Sequence, residues 1–142
     1  MEKKDLFYKF VNFTASVHRV KHELTKDTKS DSLTHAQYNI LEFLAVNQPV
    51  TISQISDCLY MSMPNTSREL RKLADKNLIE KSEDARDRRK QSICLSKAGE
   101  TMMNVTFKTI ETRFLNRIQN ASKEDLEKMD LALDILYTKI FY

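Results

Sequence analysis

Two neighbouring stretches of this chain carry side chains suited to gripping a polyanion. Ser62, Asn65, Ser67, Arg68, Arg71 and Lys72 offer hydroxyl, amide, guanidinium and ammonium donors within a short span. Further on, Asp84, Ala85, Arg86, Asp87, Arg88, Arg89 and Lys90 concentrate cations without a glycine or a large apolar residue. A guanidinium stays charged at neutral pH and matches phosphate or a guanine edge with two parallel donors. From Met61 to Ser92 there are nine Lys/Arg against six Asp/Glu, so this span alone holds the whole net charge of +3. The rest of the chain is balanced, which argues for one anionic partner at one place rather than general stickiness.

The elements around these residues position them. Between Ser62 and Lys76 the residues Met63, Thr66 (through its methyl), Leu70, Leu73 and Ala74 fall on one helical stripe, the predicted buried side. Asn65, Arg68, Arg71 and Lys72 then lie on the opposite side. Ser62 suits the N-cap and Pro64 the first turn, where a missing N–H costs nothing. Asn77 suits a left-handed residue after the last turn. Leu78, Ile79 and Glu80 begin an extended run, and Gln91 to Leu95 returns with Ile93 and Leu95 alternating against Ser92 and Cys94. The spacing predicts a two-stranded hairpin with a basic tip in solvent. Such a finger suits the minor groove of a nucleic-acid duplex while the helix takes the major groove, so double-stranded DNA is the expected partner.

Upstream, Thr34 with Gln37 and Thr51 with Gln54 are capping boxes opening two short helices. The first is predicted to bury Ile40, Leu41 and Leu44, the second Ile52, Ile55 and Leu59. Ser96 would cap a long helix carrying Gly99, and Ser122 with Asp125 would open the last one. One glycine and two prolines among 142 residues disfavour a large sheet, so the class is mainly α. The order helix, helix, turn, helix, hairpin is a winged helix-turn-helix with a two-stranded β-wing. We expect a single domain over 1–142, with the winged-helix lobe at 34–96 between helical regions at 1–30 and 100–142. Apolar seams run through Leu6, Phe10, Phe13, Val17, Val20 and Leu24, through Phe107, Ile110, Phe114 and Ile118, and through Leu126, Met129, Leu133, Leu136 and Ile140. Each can pack within one chain or on a second copy. Together with Phe7, Val11, Phe141 and Tyr142 they favour a second copy, because so short a chain cannot cover them all.

The run from Ile55 through Gly99 resembles the MarR (multiple antibiotic resistance regulator) family of winged-helix transcription factors. That family shows an acidic residue, Arg, then Asp-x-Arg, and a strand ending Leu-Ser/Thr-x-x-Gly. Asp84, Arg86, Asp87, Arg89, Leu95, Ser96 and Gly99 stand in those places here. Met61, Ser62, Ser67 and Arg68 stand where its recognition helix begins, while Asn77 replaces a usual glycine and Glu69 a usual aliphatic. The resemblance implies a homodimer built from the terminal helices, binding a pseudo-palindromic operator and usually repressing transcription. It places Arg89 in the minor groove, oriented by Asp87, with Arg86, Arg88 and Lys90 on phosphate. Asn65 and Arg68 would read base edges, and Ser62, Ser67, Arg71 and Lys72 the backbone. Members often release DNA when a small ligand enters a crevice between the dimer helices and the lobe, which implies His18, Tyr38 and Phe43 as neighbours of an effector.

Other chemistry is weaker. His18 and His22 lie one helical turn apart, but nothing nearby completes a metal site. Neither a metal nor a cofactor is expected. Cys58 and Cys94 fit structural thiols in a reducing compartment better than redox sensors. Without a phosphate loop or a nucleophile-base set an enzyme is not expected. No apolar run reaches membrane-spanning length and no signal peptide opens the chain, so the expected location is cytoplasmic, with no membrane partner. The rival reading is a winged-helix protein-interaction or scaffold module whose basic face meets an acidic protein.

Overall fold

The computed structural model describes residues 1–83 and 91–142. The elements are α1 (Lys3–Thr25), α2 (His35–Asn47), α3 (Ile52–Cys58), α4 (Met63–Asp75), β1 (Ile79–Glu83), β2 (Gln91–Leu95), α5 (Lys97–Arg117) and α6 (Lys123–Lys139). The chain divides into two compact units, Met1–Ile110 and Glu111–Tyr142. Among the described residues, no helix is long and apolar enough to cross a membrane.

The first unit is built around a core of Ile40, Leu41 and Leu44 from α2, Ile55 from α3, Leu70 and Leu73 from α4, Ile93 from β2 and Met103 from α5, all fully buried. Leu33, Val50, Leu78, Ile79 and Leu95 close its edges. Ile52 and Leu59 pack against the core while staying partly exposed. The strands pair antiparallel, Ile79 opposite Leu95 and Lys81 opposite Ile93, so the apolar members of β2 face inward. Val50 makes one further bridge on the open edge of β2, its N–H and carbonyl both bonded to Ile93 at 3.1 and 2.7 Å. The alternation of β2 could not show this contact, because Val50 stands alone between a proline and a helix cap.

Local chemistry sets the helix ends where the sequence expects them. Thr34 with Gln37, Thr51 with Gln54 and Ser122 with Asp125 form complete capping boxes. Ser62 Oγ accepts from the Asn65 N–H at 3.2 Å, with Pro64 in the first turn. Asn77 has φ 59° after α4. Its N–H reaches Ala74 O and the Leu78 N–H reaches Leu73 O, at 2.9 and 3.0 Å, which satisfies the last carbonyls of the helix.

Tyr60, between α3 and α4, is also left-handed, at φ 55°, and its side chain is 99% exposed. An L-residue pays about 1 kcal/mol or more for that conformation, and an exposed ring returns no packing. Tyr60→Gly is therefore expected to raise stability by up to about 1 kcal/mol, less the extra chain entropy of glycine. Urea unfolding at constant m-value checks this; a lower midpoint would show that the ring makes a contact in the folded state.

Two residues of the predicted buried stripe depart from it. Thr66, Leu70 and Leu73 are buried, but Met63 is about half exposed and Ala74 is exposed. The buried arc of α4 is narrower than the apolar stripe: Met63 and Ala74 stand about three turns apart on the same edge of it, and that edge stays in solvent.

Neither α1 nor α6 holds a buried residue. Leu6, Phe7, Val11, Phe13 and Val17 of α1 are exposed, and in the second unit so are Phe114, Leu126, Leu133, Ile140 and Phe141. In the first unit α1 is tied to α2 by an ion pair, Lys21 to Glu42 at 2.9 Å.

Candidate nucleic-acid interface

The donor face is carried by α4, whose tilt is set from below by α3. Ser56 Oγ, on a buried residue, donates to Thr66 Oγ1 at 2.9 Å, and Thr66 Oγ1 donates to Ser62 O at 2.9 Å. Thr66 thus faces the core with its hydroxyl paired as well as its methyl packed. Sequence periodicity places Thr66 inside and puts Ser56 on the face of α3 that carries Ile52, Ile55 and Leu59, but it cannot show that the two hydroxyls pair.

On the opposite side Ser62, Asn65, Arg68, Arg71 and Lys72 are exposed and Ser67 is half-buried. Arg68 and Arg71 form no ion pair with another described residue. Lys72 differs. Its Nζ lies 3.6 Å from Glu69 Oε1, while Glu69 Oε2 accepts from Gln37 Nε2 at 3.0 Å. Gln37 is 3% exposed, and its Oε1 takes the Thr34 N–H at 3.2 Å and Lys76 Nζ at 3.1 Å. Lys76 Nζ also donates to Ser32 O. A polar chain consequently joins α2 to the middle and end of α4. The capping box identifies Gln37 in the sequence, but nothing there pairs it with Glu69.

The hairpin is anchored at its base. Gln48 Oε1 accepts from the Leu95 N–H at 2.8 Å. Ser96 Oγ donates to Asn77 O at 2.6 Å and accepts from the Gly99 N–H at 3.0 Å, so one hydroxyl both caps α5 and holds the end of α4. Arg86, Asp87, Arg88, Arg89 and Lys90, expected from the sequence at the wing tip, lie outside the described residues.

Among the described residues, no one of the clefts found gathers the residues named for an effector. Phe43 lines a cleft of about 400 Å³ with Lys21, Asn39, Glu42 and Cys58. A second cleft of about 400 Å³ is apolar, lined by Val17, Val20, Leu24, Val46, Phe107 and Ile110 with Lys21 and Glu42 at its rim. His18 is exposed and lines neither, and Tyr38 is buried. Burial, and then the Glu42 carboxylate, push the Tyr38 phenol up to about 12. The unfolded phenol titrates near 10, so between pH 10 and about 12 the unfolded chain loses a proton that the folded chain keeps. Stability from Tyr38 is therefore complete below pH 10 and is lost as pH rises toward 12. Tyr38→Phe is expected to flatten the stability profile in that window; parallel slopes for the two proteins in urea titrations would refute the assignment.

Cys58 is exposed and Cys94 is half-buried, and both are free thiols. Burial, then the carboxylates of Glu80 and Glu100, push the Cys94 thiol up, which disfavours its reactive thiolate. His18 and His22 are exposed, and among the described residues no three or more His, Cys, Asp or Glu side chains gather as a metal would need.

Similarity to known proteins coincides with this geometry. Residues 31–90 match the MarR family model. No curated protein matches the chain in sequence. Among solved structures, a variant of MepR from a multidrug-resistant S. aureus isolate is similar at a TM-score of 0.75 and 24% identity, over 94% of this chain and 96% of that one. The transcriptional regulator BldR from Sulfolobus solfataricus is similar at 0.71 and 17% identity, over 99% of this chain and all of the other. MepR of S. aureus in complex with DNA is similar at 0.62 and 22% identity, over 90% and 98%. With residues 31–90 matching the MarR family model and its architecture shared with these solved structures over nearly its full length, this chain has the winged-helix fold of those proteins.

Proposed function

We propose that this chain is a homodimeric, sequence-selective DNA-binding regulator of transcription, acting in the cytoplasm as a repressor at pseudo-palindromic operators and having no catalytic role. The observation that carries the reading is α4 itself. One side of the helix is locked into the core through Thr66, Leu70 and Leu73, while the other presents Asn65, Arg68 and Arg71 to solvent next to a hairpin whose tip sequence is basic. In this reading Asn65 and Arg68 meet base edges, Ser62, Ser67, Arg71 and Lys72 meet the backbone, Arg89 enters the minor groove beside Asp87, and Arg86, Arg88 and Lys90 meet phosphate.

The terminal regions 1–30 and 100–142 form the dimer, and residues 34–96 form the winged-helix lobe of each copy. Their support is the set of exposed apolar side chains on α1 and α6, too many for a soluble monomer to leave in water. Two recognition helices related by a two-fold axis would meet major grooves about 34 to 36 Å apart, so the operator is an inverted repeat with half-sites one helical turn apart. The apolar cleft beside Val17, Val46 and Phe107 supports release by a small apolar effector, with Phe43 on the neighbouring cleft and His18 and Tyr38 on the flanking helices.

Selection of duplexes from a randomised library by the purified protein, followed by anisotropy titration across salt, tests the reading. The expected result is an enriched inverted repeat bound by a dimer, with affinity falling steeply as salt rises. Failure to enrich any duplex, together with capture of an acidic protein on the same face, would instead establish the interaction module.

A further inference from the structure

Glu69 is the one carboxylate that α4 places between its donor face and its buried face, and two different groups hold it. Its side chain is 17% exposed, with Oε2 fixed by Gln37 and Oε1 3.6 Å from the half-exposed Lys72 ammonium. Gln37 cannot turn away, because its carbonyl oxygen is occupied by the Thr34 N–H and Lys76 Nζ in a nearly water-free position. The carboxylate is therefore pinned by the protein, whereas its cation is a flexible lysine.

On the reading that α4 faces DNA, we propose that Glu69 is a specificity-determining residue that competes with phosphate for Lys72 and so weakens that lysine's backbone contact. A rigid carboxylate next to a phosphate-facing lysine competes with the DNA backbone for that lysine. Phosphate contacts raise affinity for every sequence alike, whereas contacts to base edges discriminate. Weakening one backbone contact thus lowers non-specific affinity and leaves base contacts a larger share of operator binding. Glu69 touches no base in this scheme; it acts through Lys72.

The test uses full-length protein, a random-sequence duplex and a library-selected operator, with binding followed by anisotropy across salt. Glu69→Gln keeps an acceptor for Gln37 and removes the charge. It is expected to bind the random duplex about 2- to 5-fold tighter at low salt, the range of a partly exposed ion pair. The slope of log K against log salt should steepen by about one, the signature of one more neutralised phosphate. Lys72→Gln in the native background should change the slope by much less than one, and the double variant Glu69→Gln/Lys72→Gln should lose the gain. The ratio of operator to random-duplex affinity should fall in Glu69→Gln.

A purely structural role for Glu69 predicts the opposite sign, weaker binding with an unchanged slope, and that result would overturn the inference while leaving the DNA reading intact. Wild-type protein that ignores both duplexes at low salt would overturn the two together. Thermal unfolding of each variant guards against misfolding. Should Glu69→Gln unfold, Glu69→Ser, which removes the charge and is short enough to leave Lys72 free, carries the same expectation.

Discussion

Gly99→Ala is expected to destabilise the winged-helix lobe by about 1 to 3 kcal/mol, the cost of forcing an added carbon into a closed site. A Cβ built at position 99 would sit 2.1 Å from the backbone carbonyl oxygen of Leu78, which is already bonded to the Ser96 N–H at 3.0 Å. Backbone cannot step aside as a side chain can. To admit a methyl group, α5 must lift from the end of α4, and lifting breaks the Ser96 bridge to Asn77 O. The midpoint of thermal unfolding should fall by roughly 3 °C per kcal/mol in a chain of this size. Lys97→Ala, at an exposed position on the same turn, is the control and should change little. Equal midpoints for Gly99→Ala and wild type would mean that α5 and Leu78 are not in this contact in solution.

The second large effect concerns binding. Arg68→Ala and Arg89→Ala should each weaken operator binding by about 1 to 3 kcal/mol, roughly 5- to 150-fold in Kd. The two losses differ in kind. Arg68 stands exposed on α4 without an ion pair to a described residue, so its removal deletes a donor from the major groove and should relax selectivity at one base position in each half-site. In the proposed binding mode Arg89 enters the minor groove, where selectivity comes from groove width, so its loss should be felt most on operators whose flanks are A·T-rich and narrow. Titrating both variants against the selected operator and against a copy with G·C flanks separates these roles. Operator affinity unchanged in Arg68→Ala would remove α4 from the major groove, and unchanged affinity in Arg89→Ala would remove the wing from the minor groove.

The two effects probe different parts of the molecule. Gly99 keeps the end of α4 seated against α5, and Arg68 reports what that seating presents to solvent. A protein that loses fold at Gly99→Ala and affinity at Arg68→Ala behaves as a rigid platform with a separable recognition surface.

Much of this arrangement was legible in the sequence because it is local. A capping box is closed within four residues, so Thr34, Thr51 and Ser122 announce their helices by themselves. The same holds for Asn77, chosen for a left-handed backbone, and for the alternation of Ile93 and Leu95. The donor face of α4 was legible because the helix period puts Asn65, Arg68 and Lys72 together whatever surrounds them. The apolar stripe was read slightly too wide at Met63 and Ala74, since periodicity gives the direction of burial and not its breadth.

What only the tertiary structure decided lies in contacts between distant residues. Gln37 and Glu69 are separated by 32 positions and Gln48 and Leu95 by 47, and a polar side chain carries no mark of the partner it will find. Gly99 stood in a recognised motif, but the reason it must be glycine is a carbonyl oxygen contributed by another element. Local chemistry therefore determined which elements form and which faces they expose. The clamp on Glu69 and the seat under Gly99 came from packing, because burial alone makes the placement of a single amide or carbonyl decisive.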